Sequence, residues 1–563
     1  MKNDLLNLLT DWQKLKSRKH NLLLIFYSLL TGTLSGAVVI LYRLGLDKIG
    51  ILREKLFENL SVWNFCTGIF IFILIGVILQ FLVMKFPLIS GSGIPQVKAL
   101  LMQKIHFRWL PELILKFFGG LLSIGVGLSL GREGPSIHLG ALVGEGINEV
   151  TGRSEMEKKY FITCGASAGL AAAFNAPLAG VIFALEELHK FFSPLLLICT
   201  LIASITADFL TRIFLGYHPV FNFEVTAPTE FNSLMEIFLI LIFGIIMSFM
   251  GKLFSDNLIK FQKVYKKIDL NPYFKAAGLM LIAFFTAFLF KDITGGGHNL
   301  IEKITQYPTP VLILFLLLAG KFLYTLISYS SGFPGGIFLP MLVIGALLGK
   351  IYGIFIVNLF GVSDIYITHY IILGMAAYFT AVVRAPITGI ILILEMTGNF
   401  SHLFALTFIS AVSYIITEFI NLEPVYDVLF NNMSFASNKD INKEKKIITV
   451  TIPVIADSKL SNKMVRDLKW PADTLLAGIR RDGNEFIPNG NTILKNGDLL
   501  VILTDKEKAS VIAYYLYEMG TIVKFSKKNR TKKGVTLFIR VTPLLYIKNS
   551  LPYSAAFSNP SLL

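Results

Sequence analysis

Apolar residues gather in long blocks from Leu22 to Ile420, and polar residues are confined to the short intervals between them. The blocks 22–42, 65–84, 234–250, 310–327 and 403–420 approach the roughly 20 residues that a helix needs to cross a bilayer. This pattern predicts an all-α polytopic membrane region over 21–432, preceded by a segment 1–20. Beyond Asn432 the pattern changes. "MSFASNKDINKEKK" (433–446) is polar and reads as a linker. Short apolar segments then follow, at 447–454, 473–481 and 498–504. Asp482-Gly483, Asn489-Gly490 and Asn496-Gly497 punctuate the region as turns, so these segments read as strands. Residues 506–519 read as a helix. A small α+β domain is therefore expected over 447–520, with a basic tail over 521–563.

Composition agrees with the membrane reading. The chain is 54% hydrophobic and 16% charged, against about 25% charged in an average soluble protein. Lys14, Lys16, Arg18 and Lys19 precede the first apolar block, and six lysines lie in 252–275. By the positive-inside rule both segments are expected in the cytoplasm. The first block is not followed by a small-residue cleavage site, so no secretory leader is expected. From Met433 onward there are 21 Lys and Arg against 11 Asp and Glu, so most of the net charge of +15 sits in the last part of the chain. That suits a cytoplasmic region beside an anionic leaflet, and no nucleic-acid partner is inferred. The tail cluster "KFSKKNRTKKG" reads as a solvated segment, with contact to a lipid surface as the alternative. Cys66, Cys164 and Cys199 lie in apolar segments without metal-ligand spacing and read as small buried hydrophobes, so neither metal nor cofactor is expected.

The membrane region repeats itself. "FNAPLAGVIFALEE" (174–187) resembles "VRAPITGIILILEM" (383–396), with Glu186 and Glu395 at equivalent places. Paired motifs in two halves mark a duplicated transporter fold whose site lies at the repeat interface. The repeat alone leaves parallel and inverted arrangements open.

Three stretches break the apolar blocks: "GSGIPQ" (91–96), "GREGPSI" (131–137) and "GFPGGIFLP" (332–340). Each places Gly or Pro where a helix would begin. Broken helices in lipid survive only where protein or a water-filled cavity covers their free backbone groups. A helix N-terminus exposes unpaired N–H groups and a partial positive charge. Three such ends aimed at one point would hold a desolvated anion without a full positive charge, and so would let it go again. The competing reading is close helix packing through small residues, which suits "FGGLLSIGVGLSLG" (118–131).

These three stretches, in this order, together with "GASAGLAAAFNAPLAGVIFALEE" (165–187), resemble the CLC family of chloride channels and proton/chloride exchangers over about 20–430. The resemblance implies an inverted repeat of many tilted and broken helices, chloride and protons as the transported ions, and one pathway in each subunit of a homodimer. It implies an anion site formed by the Ser92 hydroxyl, the N–H groups of Ile337 and Phe338, and the hydroxyl of Tyr426. Glu133 would be the gate and the external proton residue, because a carboxylate beside the site competes with the anion when charged and leaves when protonated. Glu187 would carry protons on the internal side. Gly131, Arg132, Gly134 and Pro135 would support the gate, with Arg132 bonded to backbone carbonyls. Without the resemblance, Glu186 and Glu187 read as a solvated helix end or as partners of Lys190. Glu186 and Glu395 are assigned structural roles. His138 is expected to pack with its ring hydrogen-bonded, and Gln96 stands where many relatives carry glutamate.

Residues 467–503 resemble a TrkA-C (RCK-C) type domain, which implies a cytoplasmic regulatory module with an unidentified small ligand. Arg480 and Arg481 read as a solvated strand edge, or less simply as an anion contact. Without a glycine-rich phosphate loop, no strong ATP site is expected. The function expected is proton-coupled chloride antiport in the bacterial plasma membrane, with both termini cytoplasmic. A passive chloride channel is the nearest alternative, followed by a fluoride exporter. A potassium-uptake subunit would need a "TVGYG"-like filter, which does not occur, and no nucleophile-base pair suggests a membrane-bound enzyme.

Overall fold

The computed structural model describes residues 2–58, 61–190, 192–217, 220–221, 233–433, 447–455, 458–471, 474–481, 484–505 and 512. The expected helix over 506–519, most of the linker, the Asp482-Gly483 turn and the basic tail lie outside the described residues.

Two sets of eight helices follow one another in the first unit. The first set is α1 (Lys2–Glu58), α2 (Val62–Lys85), α3 (Ile94–Leu101), α4 (Trp109–Gly125), α5 (Glu133–Thr151), α6 (Glu155–Phe174), α7 (Pro177–Phe183) and α8 (Pro194–Leu215). The second is α9 (Ser233–Lys267), α10 (Pro272–Leu289), α11 (His298–Gln306), α12 (Val311–Ser330), α13 (Phe338–Phe360), α14 (Ile367–Val383), α15 (Pro386–Thr397) and α16 (Leu403–Phe419). A short α17 (Val425–Asn431) closes the unit, and one turn of π-helix, Ala184–His189, extends α7. Among the described residues, eight helices are long and apolar enough to cross a membrane.

Local signals explain the boundaries. Ser154 and Glu157 form a capping box on α6. α6 and α14 end on left-handed Asn175 and Arg384, each followed by an Ala-Pro step that starts the next helix. The repeat is therefore a repeat of backbone turns as well as of letters. Residues 2–20 are helical and continuous with α1, because no Gly or Pro interrupts that helix before Gly32. Of the lysine-bearing segment 252–275, residues 252–267 are the end of α9.

Burial separates lipid-facing helices from central ones. The most apolar window of α2 is 22% buried, whereas that of α14 is 83% buried. Cys66 on α2 is exposed rather than buried as expected; Cys164 and Cys199 are buried. The central helices touch at glycines. A Cβ on Gly140 of α5 would lie 2.0 Å from the Gly165 carbonyl oxygen of α6, and one on Gly345 of α13 would lie 2.6 Å from that of Gly374 in α14. Small residues at these crossings let the backbones meet.

The second unit, from Ala436 onward, holds a four-stranded antiparallel sheet of order β1-β4-β2-β3. Its strands are β1 (Ile447–Pro453), β2 (Thr474–Arg481), β3 (Asn484–Phe486) and β4 (Leu499–Asp505). Ile452, Ile479, Leu500 and Ile502 form its buried face with Val454, Leu460 and Leu494. β3 was not anticipated from sequence. It covers β2, so Arg481 is not a solvated edge residue. Its Nε and Nη2 each donate at 2.7 Å to the Asp498 carboxylate, which is fully buried.

Candidate functional site

The three glycine-proline stretches meet. Gly91 N–H donates to Gly332 O at 3.0 Å, and Gly335 N–H donates to Gly91 O at 2.9 Å. Gly131 and Gly336 exchange N–H···O bonds of 2.7 and 2.8 Å as an isolated antiparallel bridge. A Cβ on Gly134 would lie 2.9 Å from both Cβ and O of Ser92, so the first turn of α5 rests directly on the loop before α3. The N-termini of α3, α5 and α13 are thereby drawn to one locus. Gly93 is the N-cap of α3 at φ +93°, and a Cβ there would strike His138 at 2.5 Å. Glycine is needed twice over at that position. Pro95 and Pro135 fall in the first turns of α3 and α5, where a missing N–H breaks no helical bond.

Two lysines that sequence reading passed over pin these loops. Lys116 Nζ donates to Ile89 O (2.8 Å) and Gly91 O (2.7 Å). Its counterpart in the second repeat, Lys321, donates to Ile293 O (3.1 Å) and Gly295 O (2.7 Å). Both are fully buried. The visible signal was a lone lysine inside an apolar helix, twice, at equivalent places in the two halves.

Ser92 is 1% exposed; its Oγ accepts the Ile94 N–H at 3.3 Å. The Tyr329 hydroxyl, another residue the sequence did not mark, lies beside Ser92. Ile337 is the N-cap of α13 and Phe338 its first residue, both fully buried. The Phe338 ring is boxed by Phe174, Phe183 and Phe379 at centroid distances of 5.3, 5.9 and 4.8 Å. Tyr426 on α17 is fully buried, and its hydroxyl has no hydrogen-bond partner among the described residues. It lies within electrostatic reach of Tyr329, Glu187 and Glu133. The structure therefore gathers Ser92, Glu133, Ile337, Phe338 and Tyr426 about one locus.

Glu133 opens α5 and is fully buried. Its carboxylate faces the Leu339 amide and its own amide, but neither oxygen makes a well-formed hydrogen bond. Gly131 leaves room for it, since a Cβ there would lie 2.3 Å from Glu133 Oε2. Arg132 departs from expectation: among the described residues no bond from it to a backbone carbonyl is found, and its Nε has no partner. As the N-cap of α5, it points into a cleft of about 350 Å³ lined also by Asp47, Arg53, Lys291 and His298. His138 packs as expected, 5.1 Å from the Phe107 ring, but neither ring nitrogen is hydrogen-bonded among the described residues. Gln96 Nε2 donates to Ser90 O at 2.7 Å and braces the loop before Ser92.

Glu187 lines a different cleft, of about 630 Å³, with Glu186, Lys190, Arg384, Glu418 and Pro424. It is 3% exposed and pairs with Lys98 (Nζ to Oε1, 3.1 Å) rather than with Lys190. Glu186 is not solvated either. Its two oxygens accept the N–H groups of Ile387 (3.3 Å) and Thr388 (2.8 Å).

Residues 75–418 match the family described as "Voltage gated chloride channel", and 449–515 match the TrkA-C domain. The H(+)/Cl(-) exchange transporter ClcA of Vibrio cholerae is 33% identical over 422 residues, covering 72% of this chain and 89% of that protein. ClcA of Salmonella agona is 31% identical over 424 residues, covering 73% and 89%. Among solved structures, a slow cyanobacterial Cl-/H+ antiporter superposes with a TM-score of 0.70 at 28% identity, covering 74% of this chain and 99% of that one. A CLC-type fluoride/proton antiporter superposes at 0.57 and 28% identity, covering 70% and 95%. The fold and the converging helix ends define a multi-pass membrane transport protein. The chain belongs to the voltage gated chloride channel family, CLC, and carries a TrkA-C domain after its membrane region.

Proposed function

We propose that the protein exchanges chloride for protons. The observation that carries this reading is a pair of buried carboxylates, Glu133 and Glu187, within electrostatic reach of Tyr426: Glu187 lines one cleft, and Glu133 follows Arg132, which lines the other. Chloride passes between the N-termini of α3, α5 and α13, held by the N–H groups of Ile337 and Phe338 and by the hydroxyls of Ser92 and Tyr426. Glu133 makes no well-formed hydrogen bond among the described residues, so it competes with chloride when ionised and yields when protonated. Glu187 exchanges protons with the cleft it lines. The named relatives, both Cl-/H+ exchangers, support the same reading.

The polypeptide acts as a homodimer in the bacterial plasma membrane, with both termini cytoplasmic, and catalyses no covalent chemistry. The membrane domain spans 21–432. The TrkA-C domain, 447–520, is regulatory and senses a small ligand. A passive channel is the second reading. Glu187 speaks against it, because a channel has no use for a buried carboxylate away from the anion site.

The test uses liposomes loaded with high chloride and diluted into low chloride without a proton gradient, with voltage clamped near zero. Chloride efflux drives protons inward for an exchanger, and Glu187→Ala abolishes the pH change while chloride still leaves. A flat internal pH in the unmodified protein establishes the channel instead.

A further inference from the structure

Lys98 is a buried charge for which the transport cycle above has no use. It lies in the last turn of α3, 1% exposed, where an unpaired ammonium would cost several kcal/mol. Two carboxylates share it: Glu187, at 3.1 Å, and Asp427. The other oxygen of Asp427 accepts from Lys190 at 2.8 Å. The result is an alternating chain of charges, Glu187–Lys98–Asp427–Lys190. It joins three elements of the candidate site. α3 begins just after Ser92, the π-turn carries Glu187, and α17 carries Tyr426 next to Asp427.

We propose that Lys98 is a positioning residue for proton transfer: it orients and charge-balances Glu187, and Asp427 competes for it. Together they set the internal pH range over which protons are carried. This rests on the reading of Glu187 as the internal proton residue. The charged and titratable groups about Glu187 are Lys98 from α3, Tyr426 and Asp427 from α17, and Lys190 at the end of its own turn, with Glu186, Arg384, Glu418 and Glu423 lining the same cleft. On the α6 side, Thr163 engages His189 at 3.2 Å, with Lys159 nearby.

The two partners act on Glu187 with opposite sign. Removing Lys98 removes a positive charge in contact with the carboxylate. Removing Asp427 leaves both lysines to Glu187 alone. A merely structural role for the cluster gives no such opposition.

The experiment uses the full chain in liposomes, with proton and chloride fluxes measured together across a series of internal pH values. Lys98→Met moves the midpoint of proton-coupled flux to higher pH by about one unit or more. Asp427→Asn moves it to lower pH, and Lys98→Arg stays near the unmodified protein. Shifts in the same direction, or unmoved midpoints in both variants, overturn the proposal. If Lys98→Met does not fold, Asp427→Asn carries the test, because its side chain is 27% exposed. A downward shift supports the proposal, and an unmoved midpoint sinks it. The reading of Glu187 fails separately, if the unmodified protein moves no protons or Glu187→Ala still does. An uncoupled Glu187→Ala with an unmoved Lys98→Met profile overturns the role of Lys98 alone.

Discussion

Glu186 and Glu395 cap each other's repeat. Glu186, at the end of the first repeat's motif, accepts the N–H groups of Ile387 and Thr388 at the start of α15, and the Thr388 hydroxyl at 2.7 Å. Glu395, at the matching place in the second, accepts those of Leu178 (3.0 Å) and Ala179 (2.8 Å) at the start of α7. Each carboxylate meets the positive end of the other half's short helix, so the two repeats are clasped by a swapped pair of caps. Charge-assisted bonds of this kind contribute about 1.5–3 kcal/mol each. Glu395→Ala is expected to destabilise the protein by roughly 2 kcal/mol or more, and Glu186→Ala by a similar amount, each read as a lower melting midpoint in detergent. Glu395→Gln keeps an acceptor oxygen and loses less. Equal melting of Glu395→Ala and the unmodified protein would refute the clasp.

The contact between Gly134 and Ser92 sets the approach of α5 to α3. An added methyl at 134 meets Ser92 Cβ and O at 2.9 Å, and one of those atoms is backbone. It cannot swing aside, so the two helix ends must separate. Gly134→Ala is expected to lower chloride flux by tenfold or more while the protein still folds, since the strain is local. Gly152, the C-cap of α5, has open space around it, although its φ of +61° favours glycine. Gly152→Asn, which tolerates that conformation, is the control that retains flux. Liposome efflux assays on both variants decide the point.

The converging loops were legible because glycine and proline interrupt apolar runs, and interruption in lipid demands a reason. Ser92, Glu133, Ile337 and Phe338 could be named from that signal and the family resemblance. The repeat made Glu186 and Glu395 equivalent, yet their exchange of helices was invisible, since it depends on how the halves pack. The Lys98–Asp427 pair spans 329 residues, and nothing local in either segment announces the other. Arg132 was misjudged for a similar reason. Its neighbours in sequence suggested carbonyl partners, whereas the cleft into which it points is assembled from α1, the loop before α11, and α13. The C-terminal strands were read from their turns, but the three-residue β3 is too short to carry a period of its own.

In the TrkA-C domain, Arg481 and Asp498 form a two-bond pair, and the Lys495 N–H adds a third bond to Asp498 at 2.7 Å. Burial pushes the Asp498 carboxyl up, but these bonds outweigh it and hold the group below the usual carboxylate range. A depressed carboxylate contributes stability above its unfolded value of about 3.9, and that stability is lost as pH falls through the folded value. The domain is therefore expected to loosen below about pH 4. Arg481→Met leaves Asp498 buried and unpaired, at a cost of roughly 2–3 kcal/mol after allowing for the part of Arg481 that water reaches. Faster protease cleavage within 447–505 of the intact chain at neutral pH is the expected result, and Asp498→Asn is expected to remove the acid sensitivity.

Glu133 offers the sharpest test of the gate. It is fully buried, yet neither oxygen has a well-formed hydrogen bond. Its carboxylate faces the Leu339 amide and its own amide, without a well-formed bond to either among the described residues, so a glutamine of nearly the same shape is expected to be tolerated. In the proposed cycle it alternates, ionised at the meeting point of the helix ends or neutral and displaced by chloride. Glu133→Gln fixes the uncharged state with almost the same shape. Chloride flux through this variant is expected to persist and to lose its dependence on external pH, while proton movement stops. If Glu133 were instead a packing residue, the glutamine would leave both the pH profile and the proton flux as they were. Measuring the two fluxes together, across external pH from about 4 to 8 around the ordinary carboxylate value, separates these outcomes.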